Sequence, residues 1–139
     1  LNETRKRNVD TNRIIFADNL KLADHLARHQ LGDLFLDTFN YSAGITASFA
    51  LYAGMPLVTL LGRSYTSRMS SSMLYHLNLE ELITTSHTEY ELLILKLASD
   101  EGFYKYIKSK LLKNISISDL FNSRAFTADL ENLYEKLLK

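Results

Sequence analysis

Along this chain, short apolar runs alternate with stretches of helical periodicity. Arg13-Ile14-Ile15-Phe16 ends at Ala17-Asp18-Asn19, which predicts a buried strand closed by turn-forming residues. Leu22, His25, Leu26 and His29 then fall at i, i+3, i+4 and i+7, one stripe of an amphipathic helix with Asn19 available as its N-cap. Leu31-Gly32 interrupts it. Asp33-Leu34-Phe35-Leu36-Asp37 predicts a second strand bounded by carboxylates, and the small, polar segment Thr38 to Gly44 leads into a helix that reaches Gly54, placed at the C′ position. Pro56, the only proline, opens a third apolar run, Leu57-Val58-Thr59-Leu60-Leu61, which stops at Gly62. Strands this apolar on both faces, each followed by a helix, predict parallel strands covered on two sides. The expected architecture is α/β, a Rossmann-like three-layer arrangement with right-handed crossovers.

Beyond Gly62 the segment Arg63 to Ser72 is rich in Ser, Thr and Arg, and the spacing predicts a helix over Ser67 to His76. Leu82-Ile83-Thr84 is a short fourth strand. Ser86-His87-Thr88-Glu89 has capping-box spacing, so a helix should start at His87, with Tyr90, Leu93, Ile94 and Leu97 as its apolar stripe. Tyr104, Ile107 and Leu111 mark a further helix, and Leu130, Leu133, Tyr134 and Leu137 a last one; these C-terminal helices are expected to pack on the sheet. No internal repeat, low-complexity tract or Pro/Gly-rich linker divides the chain, so residues 1–139 are read as a single domain.

Composition narrows the function classes. A chain of 139 residues buries roughly 68–70% of its unfolded surface and needs no covalent staple. The absence of cysteine excludes disulfides, thiolate zinc sites and cysteine nucleophiles. With 16 basic and 16 acidic residues the formal charge is zero, so no global field draws in nucleic acid or an anionic membrane, and any anion site must be local. The apolar runs are far shorter than the ~20 residues that span a bilayer. Without a secretion signal the default compartment is the cytoplasm, and a start at Leu1 rather than Met fits a fragment or a processed product.

In open α/β sheets ligands bind beyond the carboxyl ends of the strands, which singles out the loops Ala17–Asn19, Thr38–Gly44 and Gly62–Thr66. Tyr41-Ser42-Ala43-Gly44-Ile45-Thr46 runs through small residues into a helix, where free N–H groups and the helix dipole can cradle a diphosphate and Thr46 or Ser48 can add a hydroxyl. From spacing alone a plain strand-to-helix turn with small residues for packing is the better account. No GxGxxG or P-loop pattern accompanies it. His25 and His29 share a helix face without the intervening carboxylate of a zinc motif, so hydrogen bonding at a crevice edge is the better account of His25, and no metal is expected. Asp18 and Asp37 follow predicted strands, where catalytic carboxylates emerge, but on spacing alone a routine cap or turn residue is the better account of both. Arg63 and Arg68 can meet phosphate, a neighbouring domain or nearby carboxylates. His76 and His87 read as surface or helix-start positions, and Ser70-Ser71-Ser72 as a tight helix contact.

Several segments, taken in order, carry a resemblance. Arg13-Ile14-Ile15-Phe16-Ala17, Leu22-Ala23-Asp24-His25-Leu26-Ala27-Arg28, Asp33 to Thr38, Ala43-Gly44-Ile45-Thr46-Ala47-Ser48, Leu51 to Thr59, Gly62 to Arg68, Glu81-Leu82-Ile83 and Leu120-Phe121-Asn122 together resemble the O-linked N-acetylglucosamine transferase family, in particular its bacterial SPINDLY-like members. The resemblance implies a GT-B glycosyltransferase, of which this chain is similar to the later part of the C-terminal, nucleotide-holding lobe. It implies that His25 packs by the uracil with Arg28 nearby, and that Ala43, Gly44, Ile45 and Thr46 cradle the diphosphate. UDP or UDP-GlcNAc is the implied ligand, with no cofactor; protein Ser or Thr hydroxyls are the implied acceptors of the full-length enzyme. The N-terminal catalytic lobe has no counterpart here, so this chain alone is not expected to catalyse transfer.

Two departures stand out. The bacterial pattern has Thr where this chain has Ile45, and a ribose-contacting acidic residue where it has Phe49. The alternative is therefore a non-catalytic Rossmann-like interaction module with a degenerate nucleotide site, favoured if the Phe49 ring points into the crevice and disfavoured if it packs in the core. A half-lobe also exposes a sheet edge, so a homodimer through that edge is expected.

Overall fold

The structure, a computed structural model, describes residues 1–138. Helix α1 (Asn2–Lys6) and a 3-10 turn at Thr11–Arg13 precede α2 (Leu22–His29) and β1 (Phe35–Leu36). Then come α3 (Ile45–Tyr52), β2 (Leu57–Leu60), α4 (Met69–His76), a 3-10 turn at Glu80–Leu82, and β3 (Ile83–Thr84). The chain finishes with α5 (His87–Ser99), α6 (Glu101–Ile117), a 3-10 turn at Asp119–Phe121, and α7 (Ser123–Leu137).

The strands form a parallel sheet in the order β1-β2-β3, with Phe35 opposite Leu57 and Thr59 opposite Ile83. The fold is α/β and Rossmann-like, as the run-and-helix alternation predicts. Leu57, Val58 and Thr59 point alternately to the two faces of β2, and none of the three retains any exposure. Helices α3 and α4 pack on β2, α5 packs on β2 and β3, and α6 lies against α5 and α3. Ala47, Leu51, Leu74, Leu77, Leu79, Leu82, Tyr90, Leu97, Ile107 and Leu111 complete the core. Burying each leucine contributes roughly 1.5–3 kcal/mol.

Local signals set several boundaries. Gly54 adopts φ +78 just after the Ala53 C-cap, a left-handed conformation that favours glycine, and a Cβ there would press on the tip of Leu112 at 2.8 Å from Cδ2. Ser86 caps α5 by accepting from the Glu89 N–H at 3.2 Å. Glu89 returns instead to Thr85, accepting from its N–H and its hydroxyl at 2.8 Å each. These bonds hold the Glu89 carboxyl below its ordinary range. Ser70 and Ser71 are buried, in keeping with a tight helix contact.

Three expectations are corrected. Arg13–Phe16 is not a buried strand: only the 3-10 turn reaches it, and Ile15 and Phe16 are 86% and 74% exposed. A strand needs a ladder, and no strand among the described residues pairs with this segment. Asn19 does not cap α2; Lys21 occupies that position without a side-chain bond. Finally, of the C-terminal helices only α5 packs directly on the sheet: α6 lies against α5 and α3, and α7 rests on the Asp119–Phe121 turn with no buried residue, because the faces around β2 are already taken by α3, α4 and α5.

Candidate functional site

The carboxyl ends of β1 and β2 bring two of the anticipated loops together. The Ser42 N–H and hydroxyl both donate to the Thr66 carbonyl at 2.8 Å. The same Ser42 Oγ accepts from the Met69 N–H at 3.0 Å, and the Ser70 hydroxyl donates to the Ala43 carbonyl at 2.8 Å. Ser42 thereby caps α4 from a distant part of the chain, satisfying donors at its N-terminus. Within the loop, Asn40 takes φ 65, a conformation asparagine tolerates, and the Thr38 hydroxyl donates to the Tyr41 carbonyl at 2.7 Å.

Helix α3 is the contrast. Gly44 is its N-cap and supplies no side-chain bond, so the N–H groups of its first turn have no protein acceptor among the described residues. Ile45 and Thr46 are exposed there, while the Ser48 hydroxyl is spent on the Ile45 carbonyl at 2.7 Å. The Ala43 N–H is spent too, on Asp37, so the free donors lie after Ala43. A free helix N-terminus with its positive partial charge is an environment suited to an anion. Gly44 lets this turn pack closely on α4: a Cβ there would lie 2.5 Å from Met69 Cε.

Across from α3, the His25 ring meets the Phe49 ring edge-on at 5.8 Å between centroids. Phe49 follows Ile45 by one helical turn on the same face, so His25 stands about one turn from the free amides. Arg28 bonds the His25 Nδ1 at 2.8 Å and the Asp18 carbonyl at 2.7 Å. Because guanidinium only donates, Nδ1 is the acceptor and the neutral ring carries its proton on Nε2. Partial desolvation, then the charges of His29 and Arg28, hold the His25 pKa below its ordinary value, so the ring is neutral at pH 7. His29 turns its Nδ1 to the His25 carbonyl at 2.7 Å.

The chain as a whole has known relatives. The description "Glycosyl transferase family 41" matches residues 1–130. The chain belongs to glycosyl transferase family 41. It is 30% identical over 134 residues to a UDP-N-acetylglucosamine-peptide N-acetylglucosaminyltransferase of Caenorhabditis elegans, covering 96% of this chain and 12% of that protein. It is 32% identical over 114 residues to a probable transferase of the same description, SPINDLY, from Solanum lycopersicum, covering 82% of this chain and 12% of that protein. Among solved structures it is similar to a mutant O-GlcNAc transferase of Thermobaculum terrenum, with a TM-score of 0.86, 31% identity, and coverage of 95% of this chain and 25% of that one. The family 41 chain thus spans about an eighth of the curated relatives' length.

Within this family 41 chain, the residues anticipated from sequence fall in two neighbouring groups: Gly44, Ile45 and Thr46 at the α3 N-terminus, and His25 with Arg28 on α2, joined through Phe49. Phe49 lies neither in the core nor free in the crevice; half-buried, it fills the space beside His25 and His29. Arg63 and Arg68 line an open groove of ≈ 930 Å³ together with Tyr65, Met69 and His76. Sequence reasoning missed the Ser42 clamp and the Met69 wall, whose partners are 24 or more residues away along the chain. A serine placed immediately before the small-residue pair was the available signal. No helix among the described residues is long and apolar enough to cross a membrane.

Proposed function

We propose that this chain is the UDP-sugar-binding portion of a protein O-GlcNAc transferase-like glycosyltransferase, with UDP-GlcNAc as donor and Ser or Thr hydroxyls of proteins as acceptors of the complete enzyme. One observation carries the reading: the N-terminus of α3 is left uncapped, beside a loop in which Ser42, Ala43 and the Thr38 hydroxyl are committed to protein partners. The names of the family 41 relatives supply the donor and the acceptor class.

In this reading the first-turn amides at Ile45 and Thr46, with the Thr46 hydroxyl, take the diphosphate, and the small residues Ala43 and Gly44 let it approach the backbone. His25, neutral and held by Arg28, borders the base. Transfer leaves a nucleoside diphosphate with growing negative charge, and fixed N–H dipoles offset that charge without reorganising. Ile45 brings no hydroxyl and Phe49 no carboxylate, so the backbone carries most of the recognition. The outer edge of β1 also supports a homodimer through the sheet, which sedimentation at rising concentration tests; a single monomeric species at all concentrations overturns it.

Calorimetric titration with UDP and with uridine at low salt tests the site. Saturable UDP binding at least tenfold tighter than uridine is expected. A folded chain that gives no heat with UDP refutes the proposal and favours the interaction module with a degenerate site.

A further inference from the structure

Asp37 is a buried carboxylate that the nucleotide reading does not use. Its N–H extends the β1–β2 ladder by donating to the Val58 carbonyl at 3.1 Å, and the residue is 4% exposed. Oδ1 accepts from the Thr38 N–H at 2.9 Å and the Ala43 N–H at 2.7 Å, while Oδ2 accepts from the Thr59 hydroxyl at 2.6 Å. The Asp37 carbonyl accepts from the Tyr90 phenol at 2.9 Å. The ion pairs among the described residues, Lys6–Glu3, Lys105–Glu101 and Lys110–Glu81, do not include it.

A buried charge without a cation is costly, and charge-assisted bonds to neutral donors are what hold it there. Its location deepens the puzzle, because a negative charge under an anion-binding loop opposes the anion. What the carboxylate provides is geometry. One oxygen is tied to β2 through Thr59 and the other grips Ala43, immediately before the Gly44 N-cap. With the Ala43 carbonyl held by Ser70, both polar groups of that residue are committed inward.

We infer that Asp37 is a positioning residue for nucleotide binding: acting through Ala43 and without touching the ligand, it fixes the backbone at Gly44 so that the first-turn amides of α3 aim at a diphosphate. The ligand half of this inference rests on the proposed function above; the loop-holding half does not.

The two halves separate in one experiment on the 139-residue chain, combining UDP titration with amide hydrogen exchange. Asp37→Asn keeps an acceptor for the Ala43 N–H, while the Thr59 hydroxyl turns to accept from the new amide. It should keep Ala43 protected and bind UDP equally or up to tenfold more tightly, the opposing charge being gone. Asp37→Ala should speed exchange at Ala43 at least tenfold, with Val58 and Thr59 unchanged, and weaken UDP at least tenfold. Should Asp37→Ala not fold, Thr59→Val, which frees only Oδ2, should weaken UDP at least threefold. A folded Asp37→Ala, or failing that Thr59→Val, that binds UDP within twofold of the parent overturns the inference. So does Asp37→Asn if it weakens UDP as much as Asp37→Ala, since the charge rather than the grip on Ala43 would then matter. If the parent itself ignores UDP the nucleotide reading falls, and exchange at Ala43 alone decides whether Asp37 holds the loop.

Discussion

Gly44→Asp separates binding at the α3 N-terminus from the stability of the loop that carries it. Gly44 is the N-cap of α3 with φ −98 and ψ −90, so a side chain there meets no left-handed strain but must relax ψ toward the extended range in order to cap. Aspartate is among the strongest N-caps, and an N-cap carboxylate accepts from the N–H of Thr46, one of the donors assigned to the diphosphate, or of Ala47. Relative to glycine such a cap gains only about 0.3 kcal/mol. The new Cβ would lie 2.5 Å from Met69 Cε, the tip of a flexible side chain, and turning it aside costs about 1 kcal/mol. The melting temperature should therefore move by no more than about 4 °C. Binding should respond far more. A carboxylate about 4 Å from a phosphate is repelled by about 4 kcal/mol at the effective dielectric of a protein surface. Half of that already weakens UDP about 30-fold. Calorimetry at low salt, paired with thermal melts, reads both quantities. A variant that melts like the parent and binds UDP within threefold of it refutes the assignment of the diphosphate to these amides.

Other consequences concern stability and pH. Gly54→Ala forces a side chain into a left-handed conformation and against Leu112, and should cost about 2 kcal/mol in urea unfolding; equal midpoints would remove the steric argument. Asn114 is buried and donates to the Leu77 carbonyl at 2.6 Å, so Asn114→Ala should lose about 1–3 kcal/mol by leaving that carbonyl unpaired, a loss that chemical denaturation detects or excludes. His25 has a folded-state pKa below its ordinary 6.5, so the unfolded chain takes up its proton first as pH falls. Its contribution is thus fully present above pH 6.5 and declines through the window beneath it. Denaturation midpoints at pH 7.5 and 5.5 should differ less in His25→Gln than in the parent, and an identical difference contradicts the shift.

The periodicity of this sequence determined its local structure. Helix α2, the Ser86 cap of α5, the Gly54 stop and the apolar runs of β1, β2 and β3 depend on residues within one or two turns of each other, where propensity and capping act. The carboxyl-end loop was legible for the same reason, since a run of small residues opening a helix is a local pattern. Only tertiary structure decided the rest. Arg13–Phe16 is apolar enough for a strand but has no ladder to join, and the stripe of α7 matches its reading while the sheet it was meant for is already covered. Ser42 and Asp37 looked like ordinary turn residues because their work lies at long range: Asp37 meets Thr59 22 residues away, and its carbonyl meets Tyr90 53 residues away. Spacing along a chain reports which backbone conformation is favoured; which donor a buried carboxylate finds depends on what the folded sheet brings to it.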